Sequence, residues 1–167
     1  MFSGKRVISW SVRHDVGKSE PWFRFEIEAK LMTNRERAIR RRAKQEAEDR
    51  LSALSPSVPD AEVAEALAVY CVASAELLGT RQIHLQIFHD VGRRSKQGPC
   101  PLAFDWSYKN VVGISTDDRD RALRWATEAA LKGYGISFLL GRKGAGFSRG
   151  SIRSWREQRL AATTQVE

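Results

Sequence analysis

Two histidine–aspartate pairs, His14-Asp15 and His89-Asp90, are the residue types in this 167-residue chain best suited to acid–base or metal chemistry. An imidazole beside a carboxylate can move a proton or hold a metal, which would suit a small metal-dependent nuclease. Both pairs stand in the same setting, however. Ile8–Gly17 reads I-S-W-S-V-R-H-D-V-G, and Ile83–Gly92 reads I-H-L-Q-I-F-H-D-V-G. Asp can bond its own backbone and Gly accepts positive φ, so Asp-Val-Gly is turn chemistry. The pairs are therefore expected to close a turn at a strand end, and a non-enzymatic protein without metal or cofactor is the expectation. Val16-Gly17-Lys18-Ser19 ends like a phosphate-binding loop, but Val12 stands where that loop needs its first glycine.

Basic residues offer a second chemistry. The 28 Lys and Arg against 20 Asp and Glu leave a formal net charge of +8, which favours a polyanionic partner. The excess is focused. Arg93, Arg94 and Lys96 form one cluster, and Arg142, Lys143, Arg149, Arg153, Arg156 and Arg159 against Glu157 form another; together they account for all of it. Glycines between Gly141 and Gly150 would let backbone amides approach an anion, and a helix starting near Ser151 would offer its N-terminus. Helical spacing puts Arg149, Arg153 and Arg156 on one face, with Phe147 and Trp155 placed to stack on bases. A third basic surface is the helix face carrying Arg37, Arg40, Arg41 and Lys44.

These residues imply non-catalytic binding of DNA or RNA, dominated by phosphate contacts, through Arg93, Arg94, Lys96, Arg142, Lys143, Phe147, Arg149, Arg153, Trp155 and Arg156. An interaction protein that sets its basic patch on an acidic protein partner is the first alternative. A small metal-dependent nuclease using the His-Asp pairs is the second. His84-Leu85-Gln86 is similar to the metal-binding strand of rolling-circle replication endonucleases over those three residues alone, and Tyr134 ends a helix instead of lying within one.

The elements that must position these residues follow from periodicity. Lys5–Arg13 and Trp22–Met32 alternate as half-buried strands, with Ile8, Trp10 and Val12 facing the same side as Phe23, Phe25 and Ile27. Thr33-Asn34-Arg35-Glu36 matches a capping box, and the helix after it has a narrow apolar stripe of Ile39, Ala43, Ala47, Leu51 and Leu54. Asp60 opens a second helix, ended by Gly79, which carries no charge from Ala66 to Ala75. Such a helix must be covered, either at the centre of the core or in a homodimer interface built on residues 60–78.

The pattern then begins again. Arg81–His89 reads as a third strand and Leu102–Tyr108 as a fourth, with Asn110–Ser115 prolonging or bulging it. Thr116-Asp117-Asp118 caps a helix at Arg119–Lys132, in which Arg121-Ala122-Leu123-Arg124 repeats Arg37-Ala38-Ile39-Arg40. Ile136–Leu140 reads as a short buried strand, Ser151–Leu160 as a short helix, and residues 161–167 as a flexible tail. The expected fold is one α+β domain over residues 1–160. It holds a mainly antiparallel sheet from a duplicated β-β-α unit (approximately 5–54 and 80–132), helices on one face and one largely buried central helix. The order of elements and the alanine-rich third helix resemble double-stranded-RNA-binding domains, but Asp117 and Asp118 stand where those carry paired lysines. Cys71 and Cys100 have no metal-ligand spacing, and neither a signal segment nor a membrane-spanning run is visible, so a cytoplasmic protein without membrane contact is expected.

Overall fold

A computed structural model describes residues 6–12, 23–29, 32–77, 79, 82–88, 106–108, 111–138 and 151–165. The fold is α+β, with small antiparallel sheets and helices. β1 (Arg6–Val12) and β2 (Phe23–Ala29) form an antiparallel ribbon in which Ile8 faces Ile27, Trp10 faces Phe25 and Val12 faces Phe23. α1 (Asn34–Ala53) follows. Its capping box is complete: the Thr33 hydroxyl accepts from the Glu36 amide at 3.1 Å, and the Glu36 carboxylate accepts from the Thr33 amide at 3.0 Å. Two orphan amides of the first turn are thereby satisfied.

α2 (Asp60–Leu77) returns along α1 and is covered over most of its length. Val63, Ala64, Leu67, Ala68 and Val72 are fully buried, and only Asp60, Ala61, Glu62 and Glu65 are exposed. Gly79 ends it at φ 71°, a left-handed conformation that a residue with a Cβ adopts reluctantly. In residues 60–77, where a homodimer interface was one expectation, most of the apolar surface is turned into the chain's own core. α1, the sheet and two later helices of the same chain already cover that surface.

β3 (Ile83–Phe88) pairs on one edge with β5 (Val111–Thr116) and on the other with β6 (Gly135–Phe138). The three-residue β4 (Trp106–Tyr108) lies outside β5, giving the order β4-β5-β3-β6. Two expectations are corrected here. The segment 110–115 does not prolong the fourth strand. Tyr108 faces Val111 across β4 and β5, so the chain reverses between them, and the β-branched segment Val111–Thr116 becomes an inner strand. The two hairpins also do not share one sheet among the described residues: β1 and β2 pair only with each other, and β5 and β6 take the two edges of β3.

One face of the larger sheet carries Ile83, Leu85, Ile87, Ile114, Thr116 and Ile136, all buried beneath α2 and α3 (Arg119–Leu131). Ala122, Ala126, Ala129 and Ala130 allow α3 to lie close to α2. The Asp118 carboxylate caps α3 by accepting from the Arg121 amide at 3.2 Å. Tyr134, read from sequence only as part of a helix stop, is 1% exposed and belongs to the core. α4 (Ile152–Thr164) closes the fold and runs past the point where a tail was expected. In its last turn Thr163 and Thr164 donate their hydroxyls to the carbonyls of Arg159 and Leu160, one turn back. Among the described residues, no helix is long and apolar enough to cross a membrane.

Truncating Leu67, fully buried on α2, should lower the unfolding free energy by about 2–5 kcal/mol in denaturant titrations of Leu67→Ala, through lost transfer energy plus a cavity. Cys71, also on α2, supplies a pH dependence. Burial pushes its thiol from an ordinary value near 9 up to about 12. The folded chain keeps a proton that the unfolded chain releases, so this contribution is complete below pH 9 and is lost as pH rises towards 12. Stability measured across that range should decline less steeply in Cys71→Ala.

Candidate nucleic-acid interface

The residues proposed from sequence to contact phosphate divide into separate roles. Arg156, on the inward side of α4, donates to the carbonyls of Pro56 and Val58 and to the Asp60 carboxylate. Its guanidinium thus ties α4 to the α1–α2 connection and to the first residue of α2. Arg159 donates to the Leu54 carbonyl at 2.9 Å, satisfying an acceptor at the C-terminus of α1. Trp155 is 3% exposed and packs in the core, with the Arg159 guanidinium 5.9 Å from its ring centroid. Stacking of Trp155 on bases is therefore corrected, because its ring is enclosed by protein. Arg153 is exposed and pairs with Glu157 at 2.9 Å, one helical turn away.

Arg93, Arg94, Lys96, Arg142, Lys143, Phe147 and Arg149 lie outside the described residues, as do His14-Asp15 and His89-Asp90. His84 and Gln86 lie on the sheet face opposite Leu85, with Ser115 and Gly113 as their cross-strand neighbours. Among the described residues, no group of three His, Cys, Asp or Glu could hold a metal ion.

α1 presents a different arrangement. Arg37, Arg41, Lys44 and Glu48 follow one another at helical spacing along one flank, and Arg37, Arg41 and Glu48 are exposed. Among the described residues none of the four side chains has an ion pair or a hydrogen bond, whereas Arg42 pairs with Glu46 and Arg50 with Glu65. Arg40, read from sequence as part of the same face, instead donates to the Glu76 carbonyl at 2.5 Å. Arg119 of α3 reaches the Glu76 carboxylate at 2.7 Å. The N-terminal parts of α1 and α3 therefore meet at the C-terminal end of α2, and Arg35, Arg37, Arg121 and Arg124, without an ion-pair partner among the described residues, lie on those two helices.

At the other end of the α1 flank a cleft of about 200 Å³ opens between α1, α2 and α4. Glu48, Ser52, Tyr70, Trp155, Gln158 and Arg159 line it. Burial, and then the neighbouring Glu48 charge, push the Tyr70 phenol above its ordinary value, so it stays protonated at neutral pH. Sequence reasoning missed this cleft because its walls come from three helices far apart in the chain. The one signal available was Glu48 falling in step with Arg37, Arg41 and Lys44. Compared with known proteins, the chain matches no family model, no curated protein and no solved structure.

The roles of the α4 arginines are separable by stability. Arg156→Ala should lower the unfolding free energy by about 1–3 kcal/mol, because buried carbonyls lose a charged donor. Arg153→Ala, which removes an exposed side chain paired with Glu157, should change it by less, about 1 kcal/mol or below. Thermal unfolding of both variants checks the contrast.

Proposed function

We propose that the chain is a non-catalytic nucleic-acid-binding protein that holds the phosphate backbone along the flank of α1. Arg93, Arg94, Lys96, Arg142, Lys143, Arg149 and Phe147, outside the described residues, remain part of the phosphate-contacting set in this reading. The observation that carries it is the stripe of Arg37, Arg41 and Lys44, three cations whose side chains have no ion-pair or hydrogen-bond partner among the described residues. Their spacing along the helix axis, about 6 Å and then about 4.5 Å, lets long side chains reach neighbouring phosphates. The paired cations elsewhere make a contrast: Arg40, Arg50, Arg119, Lys132 and Arg156 all have carboxylate or carbonyl partners within the fold.

The scaffold for this surface is, in the same reading, a diverged duplication of a β-β-α unit whose two helices flank α2. Support comes from the paired strands before each helix, the side-chain caps at Thr33 and Asp118, and the matching Arg37-Ala38-Ile39-Arg40 and Arg121-Ala122-Leu123-Arg124. β4 would be an insertion within the second unit. The buried free thiol of Cys71 fits a reducing, cytoplasmic-type compartment.

Binding to single-stranded DNA and RNA, titrated with salt, tests the proposal. Affinity should fall steeply with salt. Replacing Arg37, Arg41 and Lys44 together by alanine should reduce the slope of log affinity against log salt by roughly two, at about 0.7 for each single-strand phosphate contact. Absence of binding at low salt, or an unchanged slope in the triple variant, overturns it.

A further inference from the structure

Glu48 is out of place in a surface that only tracks phosphate. It continues the stripe of Arg37, Arg41 and Lys44 by one helical turn, yet its carboxylate would repel a polyanion, and among the described residues that carboxylate has no ion-pair or hydrogen-bond partner. It stands at the mouth of the cleft between α1, α2 and α4, whose inner wall is Leu51, Tyr70 and Trp155, each no more than 5% exposed. Gln158 and Arg159 add hydrogen-bond donors. Arg159 is held in place by the Leu54 carbonyl at 2.9 Å, and its remaining N–H groups are free to donate again.

A carboxylate in the path of a nucleic-acid strand can be satisfied by hydrogen-bond donors on the bases. Guanine presents two adjacent donors, N1–H and the exocyclic N2 amino group, which match the two oxygens of one carboxylate. Adenine, cytosine and uracil or thymine each place an acceptor beside their Watson–Crick donor, so a carboxylate meeting that edge is repelled by a lone pair. Guanine also has O6 next to N1, an acceptor suited to a glutamine amide or a guanidinium. Recognition of this edge requires a base that is not paired.

We infer that this cleft is a pocket for one unpaired guanine of the strand held along α1, with the Glu48 carboxylate accepting from N1–H and N2–H and with Gln158 and Arg159 donating to O6. Leu51, Tyr70 and Trp155, almost wholly buried, close the pocket on its apolar side without stacking on the base. Lys44 and Glu48 lie one turn apart, about 6 Å along the axis, so a phosphate at Lys44 and the base of a neighbouring nucleotide at Glu48 are compatible. The assignment rests on the phosphate-tracking reading for delivery of the strand, whereas the pocket itself is defined by α1, α2 and α4.

The test compares binding of a short oligouridine with the same oligomer carrying one central guanine, and of guanosine monophosphate with uridine monophosphate. Wild-type protein should bind the guanine-containing oligomer about tenfold more tightly, as one bidentate base contact predicts. Glu48→Gln, an exposed substitution, should abolish that preference while leaving oligouridine affinity equal or higher. Gln158→Ala should weaken the preference without altering the salt dependence. Equal binding of both oligomers by wild type, or a preference that survives Glu48→Gln, overturns the pocket and leaves phosphate tracking standing. Selective, Glu48-dependent binding of guanosine monophosphate without oligomer binding upholds the pocket and overturns the strand path. If neither oligomer and neither nucleotide binds, both readings fall.

Discussion

A helix with no charge from Ala66 to Ala75 cannot stand in water, and the described fold is built around the need to cover it. Small residues on α2, among them Ala64, Ala68 and Ala75, let α1 and α3 lie close on either side. The buried face of the β5-β3-β6 strands closes a third side, and the Cys71 thiol lies against the Ile136 carbonyl there. Trp155 of α4 joins the same core cluster. Remove this helix and the other helices lose the surface against which they are ordered.

Arginine serves two purposes in this molecule, separated by what each guanidinium meets. A helix leaves its last carbonyls without intrahelical partners, and a long side chain from another element can satisfy them. Arg40 does this at the C-terminal turn of α2, and Arg159 at the C-cap of α1. Arg156 does it for the carbonyls of Pro56 and Val58 between the two helices. Planar, multiply donating and permanently charged, Arg suits this task better than Lys. Among the described residues, the cations that no carbonyl or carboxylate engages include those along the α1 flank and in the N-terminal part of α3.

Much of the local architecture was legible from sequence. The capping box at Thr33 and Glu36 was readable because its hydrogen bonds join residues three apart, and the helix stop at Gly79 because positive φ selects glycine. Alternation located β1, β2 and β3. It failed between Trp106 and Thr116, where β4 and β5 alternate alike and the reversal between them occupies only two residues, so no break in period marks it. Trp155 and Arg156 misled for another reason. A tryptophan among arginines is equally consistent with a base-stacking surface and with a core anchor flanked by carbonyl-binding side chains, and only the residues brought opposite α4 decide between them.

What the sequence determined by itself is therefore what depends on near neighbours in the chain: element types, helix caps, the uncharged span of α2 and the total charge. The tertiary structure alone decided which strand edges β3 would offer to β5 and β6, and which arginines would be consumed by helix ends. It alone decided that Glu48, Tyr70 and Gln158 would surround one cleft. The physical reason is common to all of these. Strand edges, carbonyl acceptors and cleft walls are satisfied by whatever arrives in space, and the partners that arrive here come from distant parts of the chain.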